Sequence, residues 1–123
     1  MPGKGSLKQR IRNGEVVVGT SPGANADRRR LEALLNHYSY DFFSIDMQHT
    51  ALNEVRLSEL CQIAADLETQ IKLRTRHPRE AYLIGSLLDL GLGIAEVPQI
   101  DNIATVREAM DAFYYPPNGG QRG

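Results

Sequence analysis

The chain of 123 residues is 41% hydrophobic and 24% charged, with 11 Gly, 6 Pro, one Cys and no Trp, which excludes collagen-like, disulfide-scaffold and low-complexity chains. Lys and Arg number 14 against 15 Asp and Glu, so the formal net charge is −1 and no global field recruits nucleic acid or an anionic membrane. No run approaches the roughly 18 apolar residues needed to cross a bilayer, and the first ten residues lack the apolar core of a signal peptide, which predicts a cytoplasmic protein with no membrane partner.

Short apolar runs alternate four times with helical patterns. The first strand is predicted over 15–20 and, after a loop over 21–27 with Asp27 as N-cap, a helix carries Leu31, Leu34, Leu35 and Tyr38 on one stripe. The second strand spans 41–46, and its helix over 53–67 aligns Leu57, Leu60, Cys61, Ala64 and Leu67, making Cys61 a core thiol. A third strand over 70–74 precedes His77-Pro78, which opens a helix bearing Leu83, Ile84, Leu87, Leu88 and Leu90 and stopping at Gly91. The fourth strand covers 93–98, and the last helix runs from Ile103 through Val106, Met110 and Phe113 to the stop at Tyr115-Pro-Pro.

Strict β-α alternation with nearly continuous apolar strands predicts an α/β fold, a parallel sheet covered by helices. Two closures compete, a small open sheet and part of a (β/α)₈ barrel of typically about 250 residues. Alternation puts Ser44 with Asp46, Lys72 with Arg74, and Ile94 with Glu96 and Pro98 on shared strand faces, so ionisable groups collect near the carboxyl ends, where both architectures build their sites.

In Asp46-Met-Gln-His49 a carboxylate stands three residues before an imidazole at a strand end, a spacing able to hold a tuned acid-base pair. The competing reading makes Asp46 a turn cap and His49 an ordinary loop histidine. Arg74 can clamp a carboxylate or enolate in bidentate fashion, or sit in a surface ion pair. Glu96 interrupts an apolar strand and needs a polar cavity or a partner. Lys72 is weighed as a Schiff-base lysine and set aside for a solvated or paired role. The glycines of 19–23 and 91–93 fit neither the Walker nor the dinucleotide pattern, and His37, His49, His77 and Cys61 lack metal-ligand spacing.

Together Ser44-Ile-Asp-Met-Gln-His49, Lys72-Leu-Arg74, Leu87-Leu-Asp-Leu-Gly91, Val97-Pro98 and the terminal Tyr115-Pro-Pro-Asn-Gly-Gly-Gln-Arg-Gly123 make the chain resemble the HpcH/HpaI aldolases, class II pyruvate aldolases acting on 4-hydroxy-2-oxo acids such as 4-hydroxy-2-oxoheptane-1,7-dioate. The resemblance implies a (β/α)₈ TIM barrel of which 1–123 would be the first four units, one truncated domain. It implies that Asp46 and His49 are active-site residues, that Arg74 binds the 2-oxo acid substrate and stabilises its enolate, and that Asp89 is associated with the catalytic histidine. Since Asp89 precedes the fourth strand, it is expected at the opposite end of the barrel and to serve a neighbouring subunit, in a homo-oligomer.

The terminal loop carries one residue more than the family's usual pattern. By the same resemblance a divalent metal, Mg²⁺ or Mn²⁺, is held by carboxylates of the fifth and sixth strands, which this chain lacks. A fragment or degenerate product with impaired or no turnover is therefore expected. The rival class is a small α/β module that binds an anion or a partner without turnover.

Overall fold

The computed structural model of the chain describes residues 6–122. After helix α1 (Leu7–Arg12) come four strands, β1 (Gly19–Thr20), β2 (Phe42–Asp46), β3 (Ile71–Arg74) and β4 (Ile94–Glu96), parallel and side by side in chain order in one open sheet. Each strand leads into a helix: α2 (Arg28–His37), α3 (Glu54–Asp66), α4 (Ile84–Asp89) and α5 (Ile103–Phe113). Parallel neighbours need such crossovers, because a tight hairpin can only reverse the chain.

Local chemistry sets the helix starts. The side chains of Asp27, Asn53 and Asn102 accept hydrogen bonds from the amides of Arg30, Arg56 and Thr105 at 2.8–2.9 Å, each satisfying one of the first-turn donors that a helix leaves unpaired. Alternation then sorts the two sheet faces. Phe43, Ile45, Ile71 and Leu73 are buried with Leu31, Leu57, Leu60 and Cys61 beneath the helices, while Ser44, Asp46, Lys72 and Arg74 are left half-buried on the other face.

Three predicted elements differ from those observed. The first strand is paired only over Gly19–Thr20, because ahead of it the Val18 amide donates to the side chain of Asp41 (2.9 Å), which Arg10 also binds (2.8 Å), and Val16 is 82% exposed. The helix predicted from His77 begins as a 3₁₀ segment (Pro78–Leu83) before α4, its start held by His77 Nδ1 accepting from the Arg79 amide at 3.1 Å. The fourth strand stops at Glu96 instead of Pro98, since proline offers no ladder donor and Gln99 turns into the left-handed region (φ 53°). Helix α1 has no counterpart in the sequence reading, although Ser6 caps it by accepting from the Gln9 amide.

Candidate functional site

The register of the sheet places Asp46, Arg74 and Glu96 in one row across β2, β3 and β4 at their carboxyl ends, with Ser44 and Lys72 one pleat deeper. Arg74 donates through Nε to Asp46 Oδ1 (3.2 Å) and through Nη2 to Oδ2 (2.7 Å), the two-pronged geometry in which a guanidinium matches a carboxylate. The Gln48 amide also donates to Asp46 Oδ1 at 2.8 Å, where the chain turns out of β2. These bonds, that of Arg74 foremost, hold the Asp46 carboxyl down at about 2, against an ordinary 3.8, and the same pairing raises Arg74 further. Beside them Lys72 Nζ lies 2.6 Å from Glu96 Oε2. Four charges of alternating position and zero sum thus share one face of the sheet.

These four side chains line one cavity of about 450 Å³ with Ser21 of the β1–α2 loop and Thr50 of the β2–α3 loop. Asp46 engages two of the five N–H donors of Arg74, so the guanidinium keeps donors for an incoming anion. A second, polar cleft of about 650 Å³ lies between His77, Arg79, Gln99 and Asp101, and Gln48 Nε2 donates to Gln99 Oε1 at 3.2 Å.

The residues singled out by sequence are not all brought together. Asp46 and Arg74 meet as expected at strand ends. His49 sits exposed in the bend after β2, close enough for its charge to help lower Asp46, but it is not among the residues that line the cavity. Three residues beyond the strand, the pleat no longer dictates where a side chain points. Asp89 ends α4, ahead of β4 and so away from the carboxyl edge, and pairs with Arg122 Nη2 at 2.5 Å, tying down the terminal loop. Arg122 also stacks 4.5 Å from the Tyr115 ring. Lys72 and Glu96 were left open by the sequence. Their partnership is a consequence of register, which puts the two on the same face of adjacent strands two residues apart.

A divalent metal does not fit what is present. Among the described residues no group of three or more His, Cys, Asp or Glu is placed to hold an ion, and the carboxylates of Asp46 and Glu96 are each occupied by a cationic side chain. Among the same residues no helix is long and apolar enough to cross a membrane.

The fold and site define an α/β chain of four parallel β-α units with a charged cavity at the carboxyl ends of its strands. No protein-family profile matches it, and no curated protein does. Among solved structures it is similar to an HpcH/HpaI aldolase from Desulfitobacterium hafniense DCB-2, with 25% identity and a TM-score of 0.80 over 96% of this chain and 44% of that one. The citrate synthase SbnG is 29% identical, with a TM-score of 0.82 over 96% of this chain and 46% of its own, and a variant of that synthase is 28% identical at 0.77. The likeness to the HpcH/HpaI aldolases read from the motifs is thus borne out in the structure, as is the α/β fold of half a barrel. The chain spans less than half the length of these proteins.

Proposed function

We propose that the chain is a carbon-carbon lyase of the aldolase type whose cavity takes a 2-oxo acid and, in retro-aldol cleavage of a 4-hydroxy-2-oxo acid, releases pyruvate and an aldehyde. The observation that carries this reading is the Asp46–Arg74 pair at the carboxyl edge of a parallel sheet, with Arg74 donors left to bind a carboxylate and to stabilise enolate charge as it develops. Asp46 fixes the guanidinium in place, so little ordering is needed when the substrate arrives. His49, in the loop at the rim, is the base for the 4-hydroxyl proton: the proton goes to the imidazole, the C3–C4 bond breaks, its electron pair forms the pyruvate enolate, and a proton returned at C3 gives pyruvate.

The exposed position of His49 and the absence of three grouped metal-ligating side chains among the described residues favour a second reading, in which the chain binds the oxo acid and turns it over poorly or not at all. Titration with pyruvate and with oxalate, followed by an assay of pyruvate release from 4-hydroxy-2-oxoheptane-1,7-dioate with and without added Mg²⁺ or Mn²⁺, tests both. Binding with release supports the lyase; binding without release supports the anion-binding module; no binding of either acid overturns the assignment of the cavity.

A further inference from the structure

Retro-aldol cleavage leaves an enolate, and pyruvate forms only when a proton reaches C3. That proton needs a carrier inside the cavity. His49 is not among the residues that line it, and Ser21, Ser44 and Thr50 contribute hydroxyls, which do not ionise near neutral pH. Asp46 has both oxygens engaged, by Arg74 and by the Gln48 amide, and those bonds hold its carboxyl at about 2, too low for it to carry a proton there. Lys72 Nζ is committed to Glu96 Oε2 at 2.6 Å. Among the ionisable side chains of the cavity wall, Glu96 is left, and its position suits the task. It interrupts the apolar run of β4 as the register partner of Arg74, so the two side chains leave one face of adjacent strands with their roots about 4.8 Å apart. The Glu96 charge is near enough to add to the upward push on Arg74. Lys72 grips Oε2 and thereby orients the carboxylate, while Oε1 has no hydrogen-bond partner among the described residues.

We propose that Glu96 is the acid-base group for C3 of the 2-oxo acid, an assignment that rests on the cavity taking such an acid at Arg74. Asp46 occupies Nε and one donor of Nη2, so a keto oxygen takes the donors that remain, and C3, one bond from the keto carbon, comes within reach of the neighbouring strand. In enolisation of bound pyruvate, Oε1 of Glu96 takes a proton from C3. The C3–H electron pair becomes the C2–C3 double bond, and the keto oxygen gains the charge that the Arg74 donors stabilise. At the end of cleavage the same step runs backward: protonated Glu96 gives its proton to C3, and the carboxylate, partly exposed, regains one from water. The proton that His49 takes from the 4-hydroxyl leaves to the same solvent, so the count closes. Lys72 acts through Glu96 as a positioning residue.

Pyruvate in D₂O tests this step apart from bond cleavage. Its methyl protons exchange whenever C3 is deprotonated, and the loss of their NMR signal in the presence of the 123-residue chain, with and without added Mg²⁺, gives the rate. The wild type is expected to exchange them faster than buffer, and Glu96→Gln to slow the exchange by about 10²-fold or more, the usual cost of losing an acid-base group. Pyruvate affinity, measured by calorimetric titration, is expected not to weaken in Glu96→Gln, because that variant removes a negative charge from the cavity. Glu96→Asp keeps the carboxylate one methylene shorter and is expected to retain more of the exchange than Glu96→Gln. Pyruvate that binds the wild type without exchanging, or exchange that Glu96→Gln leaves intact, overturns the assignment of Glu96. An equal loss of exchange and affinity in Glu96→Gln makes Glu96 a binding or structural group and overturns it as well. A wild-type chain that binds no pyruvate overturns the reading of the cavity itself, so the two failures are told apart by the titration.

Discussion

Asp46 on β2 and Arg74 on β3 stand opposite each other in the sheet register and meet through two hydrogen bonds, of 3.2 and 2.7 Å. One pleat and one strand away the same device recurs with Lys72 and Glu96. Both pairs are half-buried, at the rim of a cavity and not in the core, so water screens them and their contribution is chiefly to orient charge.

Replacing Arg74 by Met removes the main cause holding the Asp46 carboxyl at about 2, and its value is expected to climb back toward 3.8. Since the folded-state value lies below the unfolded one, the pair stabilises the fold at neutral pH, and that stabilisation fades as the pH falls from near 4 through 2. Carboxyl chemical shifts followed by NMR titration of both proteins check the value. Urea unfolding at pH 7 and near pH 2.5 checks the sign: the gap between wild type and Arg74→Met narrows in acid. A gap that widens contradicts the assigned cause.

In the release assay, Arg74→Ala is expected to lower turnover by about 10²–10³-fold, the usual cost of losing a placed donor to a developing oxyanion. His49→Ala is expected to lower turnover while leaving pyruvate affinity close to that of the wild type, because His49 stands outside the cavity wall. Equal loss of turnover and affinity makes His49 a binding group instead of the base.

Much of this arrangement was legible before the structure. Strand alternation was enough to put Asp46 and Arg74 on one face, since a period of two leaves no choice once Phe43, Ile45, Ile71 and Leu73 go to the core. The N-cap Asp27 follows from a side chain that reaches the third amide of the helix, and the structure adds Asn53 and Asn102 in the same role. What could not be read was set by distant partners. The Asp41 side chain, held by Arg10, takes the Val18 amide from 23 residues away and shortens β1, and no local pattern around Val18 announces it. The orientation of His49 likewise depends on a loop, where no pleat or helical period constrains it. Helix α1 is only six residues long, with one buried side chain, Leu7, too short a stretch for periodicity to register.

Cys61 lies in the core stripe of α3, 5% exposed, and burial pushes its thiol up to about 11. The thiolate is the reactive form, so the folded chain is expected to react with a disulfide reagent at pH 8 far more slowly than the same chain in 6 M guanidinium, where an ordinary cysteine value near 8.5 returns. The folded rate then reports opening of the α3 region, and it should rise with mild urea. Fast labelling of the native protein at pH 8 contradicts the burial of α3 against the sheet.

Thr75 follows Arg74 at the end of β3 and is fully buried. Its amide donates to the Glu96 carbonyl at 3.0 Å, which continues the ladder onto β4, but its Oγ1 has no hydrogen-bond partner among the described residues. A buried hydroxyl without a partner forfeits its hydration and gains nothing in return, a penalty of about 1–3 kcal/mol. Valine has the same branched outline with a methyl in place of the hydroxyl, and it keeps the backbone donor. Thr75→Val is therefore expected to raise the unfolding free energy by about 1 kcal/mol, read as a higher urea midpoint with an unchanged slope. The register of Arg74 against Glu96 rests on backbone bonds that the substitution does not touch, so affinity for pyruvate should stay within about twofold of the wild type. A loss of stability of about 1 kcal/mol or more, the size expected for a broken buried hydrogen bond, shows instead that Oγ1 is satisfied in solution.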